Sequence, residues 1–444
     1  MDLDVDAWYR AFRTRDARFD GRIYSGCRTT GIFCRPICPV RTPHRENMLF
    51  YPSAAAALAA GFRPCLRCRP EIAPGVAAWR GTSSTVARAL ALIDGGALDV
   101  GSVDGLAGRL GVGERQLRRL FAEHLGASPI AVAQTRRVML AIQLLRETDL
   151  SMANVALAAG FGSVRRFNEV FTQLYRRSPG ALRGRSGSAV PAASSNDLVI
   201  RLPRRSPYDW PAIVAFLQAR AIPGVEYVST SQYIRTIEIN RVHGVIAVEP
   251  KDAHLQATIR FSRLASLPVI IERVRRIFDL GADPDGIDAH LAEDPALAPL
   301  VAARPGLRVP GAWDGFELAV RAVLGQQITV SAAVGLAGQL VQRHGEPLAE
   351  SLRVGTQLTH VFPLPERIAT RTSPPLVFRG RGRERCPHSL PLSPRILTCS
   401  AGAGAFMSAW NGWRVCRALG NGRRSTSPCA SCTNRTPFRS VTSV

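Results

Sequence analysis

Lysine is all but missing from this 444-residue chain: Lys251 is the only one, and arginine supplies the rest of the basic charge. Arginine offers a planar, permanently charged fork suited to phosphate oxygens, although a GC-rich genome would enrich it as well. The chain also lacks any run of about 18 uncharged apolar residues, so no transmembrane helix is expected. Acids stand among the first ten residues, Met1 to Arg10, where a secretory signal would carry bases, and a cytoplasmic protein is expected. In that reducing compartment clustered cysteines point to metal or catalysis before disulfides. Acidic residues are scarce overall, 34 against 57 Lys+Arg, for a formal charge of +23 and a pI near 11.0. This imbalance predicts a polyanionic partner, above all nucleic acid. Eleven of those net charges fall in residues 371–444, which hold twelve Arg and a single acid, Glu384.

The length implies about three domains or more. Residues 1–78 hold four clustered cysteines and many Gly and Pro, as expected of a small α+β zinc domain in which metal substitutes for a large core. Residues 84–184 show a 3.6-residue period, with Leu106, Leu110, Leu117, Leu120 and Phe121 on shared faces, and are predicted to be all helix after a first helical stretch from Ser84 to Asp94. Small residues without a period mark 185–196 as a flexible linker and domain boundary. Residues 197–300 read as α+β: alternation at 198–202, a helix near Pro211 to Arg220, then strand-like runs at 226–239 and 242–248. From 301 to 370 the period is helical again, clearest in Phe316–Leu324 and Val330–Val341. Residues 371–444 contain no Asp, no Lys and five scattered Cys; with no sustained period, they are expected to be disordered or the product of a frameshift.

Cys34-Arg-Pro-Ile-Cys38 is followed, after 26 residues, by Cys65-Leu-Arg-Cys68. Two close pairs separated by a loop can give four thiolates to a tetrahedral Zn2+. Spacing alone favours a closed structural staple over a reactive site. Cys27 lies outside the pairs and reads as a bystander. The wider string, RTTGIFCRPICP from Arg28, Arg45-Glu-Asn, Phe50-Tyr and AAGFRPCLRC from Ala59, resembles the N-terminal domain of the Ada family over about residues 25–70. That resemblance implies that Cys34 irreversibly accepts a methyl group from a DNA methylphosphotriester, and that Thr30, Arg41 and Arg63 contact DNA. One basic position of the family is Pro39 here. Zinc would keep the thiols ionised at neutral pH. Methylating one of four thiolates would reduce the site's negative charge by one and weaken its repulsion of DNA, so repair itself can raise DNA affinity.

Val103–Leu110, the turn Gly111-Val112-Gly113, and Glu114–Leu125 have the lengths of a helix-turn-helix, with Ser102 or Asp104 as candidate cap. Arg115, Gln116, Arg118 and Arg119 lie early on its second helix, where base and phosphate contacts are made. An ordinary helical hairpin with a solvated arginine face would look the same. The arrangement recurs at Ser151–Ala159, Gly160-Phe161-Gly162 and Ser163–Tyr175, and AGFGSVRRFNEVF followed by SPGALR resembles the AraC-type regulators across about 100 residues. The resemblance implies a double reader of double-stranded promoter DNA, with Arg165, Arg166 and Asn168 as second-site candidates and RNA polymerase as a partner.

Pro207-Tyr-Asp-Trp-Pro, AFLQARA from 215, RPGLRVPGAWDGFE from Arg304 and AVLGQQIT from Ala322 resemble the AlkA-type 3-methyladenine DNA glycosylases over about 197–370. Taken by itself Gly325-Gln-Gln is a polar helix corner; the resemblance makes Gln327 the side chain inserted where a damaged base leaves the stack. The resemblance also calls for an L-P-G-x-G type loop in a helix-hairpin-helix and a later Asp, and neither is present. An incomplete all-α glycosylase domain with little or no activity is therefore expected, since that carboxylate stabilises the developing sugar cation. The whole reads as an alkylation-response regulator with a methyl acceptor and a glycosylase remnant. The rivals are a zinc-containing AraC-type factor without methyl transfer, and an intact bifunctional enzyme if residues 371–444 reflect an error in the gene.

Overall fold

The computed structural model describes residues 5–73, 84–183, 197–353 and 357–369; the expected linker at 185–196 and the segment 371–444 lie outside the described residues. An amphipathic helix, α1 (Val5–Arg13), opens this part and sets Phe12 edge-on against Phe50, ring centroids 5.8 Å apart. Four short strands follow: β1 (Tyr24–Cys27), β2 (Ile32–Cys34), β3 (Met48–Tyr51) and, after α2 (Ala54–Ala59), β4 (Arg63–Pro64). They form one sheet in the order β3-β1-β2-β4, antiparallel except where β2 meets β4. Its apolar clusters are small, one around Tyr24, Phe33 and Phe62, another around Phe12, Ile23 and Met48. Cores of that size seldom hold a fold alone.

Between 84 and 183 the named elements are helices, as the period predicts: α3 (Ser84–Asp94), α4 (Ala97–Val100), α5 (Val103–Leu110), α6 (Glu114–Leu125), α7 (Pro129–Glu147), α8 (Met152–Ala159), α9 (Val164–Tyr175) and α10 (Pro179–Leu182). Ser102, Ser128, Ser151, Ser163 and Ser178 each accept the N–H three residues on and so start a helix. Of the two candidates for α5, Ser102 is the cap. Gly111 and Gly160 end α5 and α8 at φ 74° and 87°. At Gly160 a Cβ would also lie 2.4 Å from the Asp99 carboxylate, which binds Arg136 and Arg137.

An antiparallel sheet in the order β5-β9-β8-β7-β6 is built from β5 (Leu198–Pro203), then, after α11 (Trp210–Gln218), β6 (Glu226–Val228), β7 (Tyr233–Ile239), β8 (Val242–Pro250) and β9 (His254–Phe261). Three local features depart from expectation. The run 226–239 is two strands, because Ser229–Gln232 makes a turn in which the Ser229 N–H donates to Gln232 O at 2.9 Å; hydroxyl side chains offer the backbone an alternative to strand pairing. The helix α11 starts one residue early and ends two residues early, with Asp209 capping it and Pro211 in its first turn. The strand β9 carries its inward alternation on Leu255, Ala257 and Ile259, and the small Ala257 weakens that signal.

Helices α12 (Leu267–Ile277), α13 (Pro284–Leu291), α14 (Ala298–Ala303), α15 (Gly315–Leu324), α16 (Val330–His344) and α17 (Pro365–Ala369) complete the described chain. The expected division at 300/301 falls within α14. No helix among the described residues is long and apolar enough to cross a membrane. One apolar core runs from Val138, Leu144, Phe167 and Phe171 of α7 and α9, through Ile200, Ile246 and Ile259 of the sheet, to Ile270 and Val274 of α12. Hydrophobic packing is thus continuous across the expected boundary at 185–196.

Buried charge fixes α15 to the sheet. Arg235 on β7 donates to Glu317 at 2.7 Å, both side chains 2% exposed, and Arg321 reaches Glu317 and Glu226 at 2.6 and 2.5 Å. Burial opposes the charge on Glu317, but the two guanidinium groups outweigh it and hold the carboxyl down to about 2. A depressed carboxyl contributes its full stability above its ordinary value of 4.5 and loses it as pH falls toward about 2. Glu317→Gln leaves two buried cations short of a partner and should cost about 3–5 kcal/mol. Urea unfolding at neutral pH, followed by the fluorescence of Trp313 beside Arg235, should show the lower midpoint, with the gap to the parent closing as pH drops below 4.5.

Candidate metal centre and nucleic-acid interface

The parallel pairing of β2 with β4 sets Phe33 opposite Pro64, so the next residues, Cys34 and Cys65, leave the sheet side by side. Each then turns back to present a second cysteine. The Cys38 N–H donates to Arg35 O at 3.1 Å, and the Arg69 N–H to Cys65 O at 3.2 Å with Arg69 left-handed at φ 53°. The Cys34, Cys38, Cys65 and Cys68 sulfurs all lie within 4.8 Å of one another. Around a tetrahedral Zn2+ with Zn–S near 2.3 Å, sulfurs sit about 3.8 Å apart, so this set fits with small adjustments. The chemistry of the donors also asks for a cation. Hydrogen bonding to Cys38, Cys65 and Cys68 holds the Cys34 thiol far above its ordinary range, while bonding from Cys34 first holds Cys65 far below. Cys38, Cys65 and Cys68 are buried; Cys34 is half-buried. Cys27 stands outside the cluster, its sulfur 3.2 Å from the Thr29 hydroxyl, and none of the five described cysteines is in a disulfide.

A buried ion pair beneath the cluster is not legible in the sequence. Arg35 and Asp20 are 5% and 6% exposed, and Arg35 Nε donates to Asp20 Oδ1 at 2.6 Å. The same guanidinium donates to the carbonyls of Cys68 and Arg69 at 3.0 and 3.2 Å, and the Arg35 peptide N–H points at Cys68 Sγ from 3.4 Å. Inside a C-R-P-I-C run Arg35 reads as a surface arginine, and nothing local singles out Asp20. A second network ties the Cys65–Cys68 turn to α7: Arg69 reaches Glu147 at 3.0 Å, and Arg146 donates to Leu66 O at 3.0 Å.

Thr30 is exposed in the β1–β2 turn, and the Arg63 N–H donates to Gly31 O at 2.9 Å, so these two candidates share one edge of the cluster. Arg63 is half-buried and Arg41 exposed. Where the basic pattern breaks at Pro39, the exposed Arg15 donates from Nη2 to Pro39 O at 3.1 Å and brings a guanidinium to that place. Sequence reasoning passed over Arg15 because it lies 24 residues away.

The two helix pairs present matching faces. Leu117, Phe121 and Leu125 of α6, and Phe167, Phe171 and Tyr175 of α9, are buried at i, i+4 and i+8. Arg115, Gln116, Arg118 and Arg119 on α6, and Arg165, Arg166 and Asn168 on α9, are exposed. Arg118 is paired with Glu114 at 2.5 Å, and Arg165 and Arg166 with Glu169 at 2.9 and 3.6 Å. Gln327 is exposed in the corner between α15 and α16 with φ 60°, and Ile328 beside it is 39% exposed. That apolar neighbour was not anticipated.

Three family profiles match the chain: the metal-binding domain of Ada over residues 7–71, a helix-turn-helix domain over 106–185 and the AlkA N-terminal domain over 199–314. A probable bifunctional transcriptional activator/DNA repair enzyme AlkA of Mycobacterium tuberculosis is 39% identical over 406 residues, covering 90% of this chain and 81% of the relative. DNA-3-methyladenine glycosylase 2 of Escherichia coli is 38% identical over 37% of this chain and 55% of its own length. The bifunctional transcriptional activator/DNA repair enzyme Ada of Escherichia coli is 36% identical over 36% of this chain and 43% of its own. The four-cysteine cluster is a Zn2+ site.

Outer partners of a metal site orient its ligands. Asp20→Asn loosens Arg35 and with it the Cys68 and Arg69 carbonyls, and should lower zinc affinity about 10–100-fold. Competition with a chromophoric chelator measures this; an unchanged affinity would show the pair to be irrelevant to the metal.

Proposed function

Because the chain belongs to the family of bifunctional transcriptional activator/DNA repair proteins that join an Ada-type metal-binding domain to an AlkA-type domain, we propose that it takes a methyl group from DNA methylphosphotriesters onto Cys34 and then activates alkylation-repair genes. The unequal exposure of the four cysteine residues supports this most directly: Cys38, Cys65 and Cys68 are buried and Cys34 alone is half-buried. A nucleophile needs an approach, whereas a staple gains from closing every side. Zn2+, when bound, keeps the thiols ionised at neutral pH. Cys34 Sγ attacks the methyl carbon, an S–C bond forms, the bond between that carbon and the ester oxygen breaks with the oxygen staying on phosphorus, and the phosphodiester leaves with the electron pair as its anion. No oxidant or proton donor is needed. Thr30, Arg63 and Arg41 hold the backbone, and Arg15 supplies the charge that Pro39 does not.

The product cluster carries one negative charge fewer and repels DNA less. Its Cys65–Cys68 turn is anchored to α7, which joins the two helix pairs, and this supports a link between repair and promoter binding. Arg115, Gln116, Arg118 and Arg119 would read one major groove of double-stranded DNA, and Arg165, Arg166 and Asn168 the next, with RNA polymerase recruited in the cytoplasm. The division into 1–78, 84–184, 185–196, 197–300, 301–370 and 371–444 belongs to the same proposal.

For the AlkA-type region we infer a binding remnant without glycosylase chemistry. Gln327 sits at an exposed corner suited to filling the gap left by an extruded base. No Asp follows Asp314, and no P-G-x-G loop is present. The carboxylate that would steady a sugar cation is therefore missing. The match to the Mycobacterium tuberculosis relative is wide enough to take in part of 371–444, and sequencing the gene around codon 370 tests for a shifted frame there.

Incubation with methylphosphotriester DNA followed by digestion should give a peptide bearing Cys34 heavier by one methyl group, and none in Cys34→Ala. An unmodified Cys34 would leave the zinc-containing AraC-type regulator without methyl transfer as the function. Release of 3-methyladenine from alkylated DNA should not exceed the no-protein control; release above it would restore the bifunctional enzyme.

A further inference from the structure

We propose that Glu238, His243 and Glu346 form a second cation site, for a first-row divalent ion such as Mn2+ or Zn2+, that clasps the β7–β8 hairpin to the segment following α16. Glu238 and His243 face each other across the hairpin, whose Asn240 and Arg241 are both left-handed, at φ 52° and 63°. Glu346 is brought to them from beyond α16, where the Val361 N–H donates to Glu346 O at 2.9 Å. One ligand atom from each of the three side chains lies within 4.8 Å of the others.

The second observation is a shortage of donors. The Glu238 side chain is 5% exposed, and neither of its carboxylate oxygens has a hydrogen-bond partner. His243 Nε2 lies 3.0 Å from Glu346 Oε2 and 4.0 Å from Glu238 Oε2, yet makes no hydrogen bond. Two carboxylates and an imidazole nitrogen therefore converge, all three as acceptors when Nε2 carries no proton, and leaving the buried Glu238 carboxylate unsatisfied is costly. Arg367 pairs with Glu346 through Oε1, while Oε2 is turned toward His243. Burial raises the Glu238 carboxyl above its ordinary value despite His243, Arg367 and Arg241.

A cation answers all of these at once. Ligand distances near 2.1 Å place donor atoms about 3.4 Å apart, so the groups need only side-chain adjustment to share one ion. A mixed nitrogen and oxygen set suits Mn2+ or Zn2+, whereas Mg2+ and Ca2+ take oxygen throughout. The site shares no residue with the thiolate cluster, whose soft sulfurs retain Zn2+ against Mn2+.

The test titrates the full chain, its cysteine cluster loaded with Zn2+, with Mn2+ and follows the loss of the free-ion signal by electron paramagnetic resonance. One Mn2+ should bind per chain. Glu238→Gln, His243→Gln and Glu346→Gln should each weaken binding about 10-fold or more, with an unchanged circular-dichroism spectrum as the sign that the chain remains folded. Arg367→Gln, which frees the second Glu346 oxygen, should tighten binding, a gain that misfolding cannot mimic. No Mn2+ uptake by the parent, or uptake indifferent to both His243→Gln and Glu346→Gln, overturns the site.

Discussion

Four sulfurs drawn to one point are the constraint on which the N-terminal part depends. The sheet of β1 to β4 encloses only a few apolar side chains, and its shortest strand, β4, is two residues long. Such a strand has little pairing energy of its own. Its register against β2 is worth holding because it seats Cys65 beside Cys34, and the metal in turn secures the register. Fold and metal site are here the same set of bonds. Arg35 and Asp20 extend that economy inward, since a single buried guanidinium fixes two carbonyls of the turn that carries Cys68.

Charge is used in two different ways along the chain. On α6 and α9 arginines stand in water, where ion pairs with Glu114 and Glu169 are weak and easily exchanged for phosphate. Around Glu317 and Glu226, Arg235 is sealed from solvent and Arg321 is half-buried, and pairing there is obligatory. Net charge alone does not distinguish these uses; burial does.

Legibility followed locality. The bounds of α5, α6, α8 and α9 could be read because each serine cap and turn glycine lies within a few residues of the helix it ends or begins. The cysteine cluster was legible for the same reason, two short-range pairs. What escaped were partners set by the tertiary fold: Asp20 for Arg35, Arg15 beside Pro39, and Glu346 against a hairpin more than a hundred residues earlier. The break between β6 and β7 was hidden in a run whose outer residues alternate convincingly, and the turn hydroxyls decided it.

The core that joins α7 to β5 and α8 to α12 has a consequence for how such a chain is kept. Pulling the two parts apart near residue 184 would strip β5 from α7 and α12 from α8, and would uncover apolar faces that water now does not reach. Helices α7 and α8 lean on the neighbouring domain as if it were their own. Selection then guards the shape of the neighbouring domain for the sake of the helices that rest on it, whatever chemistry that domain performs.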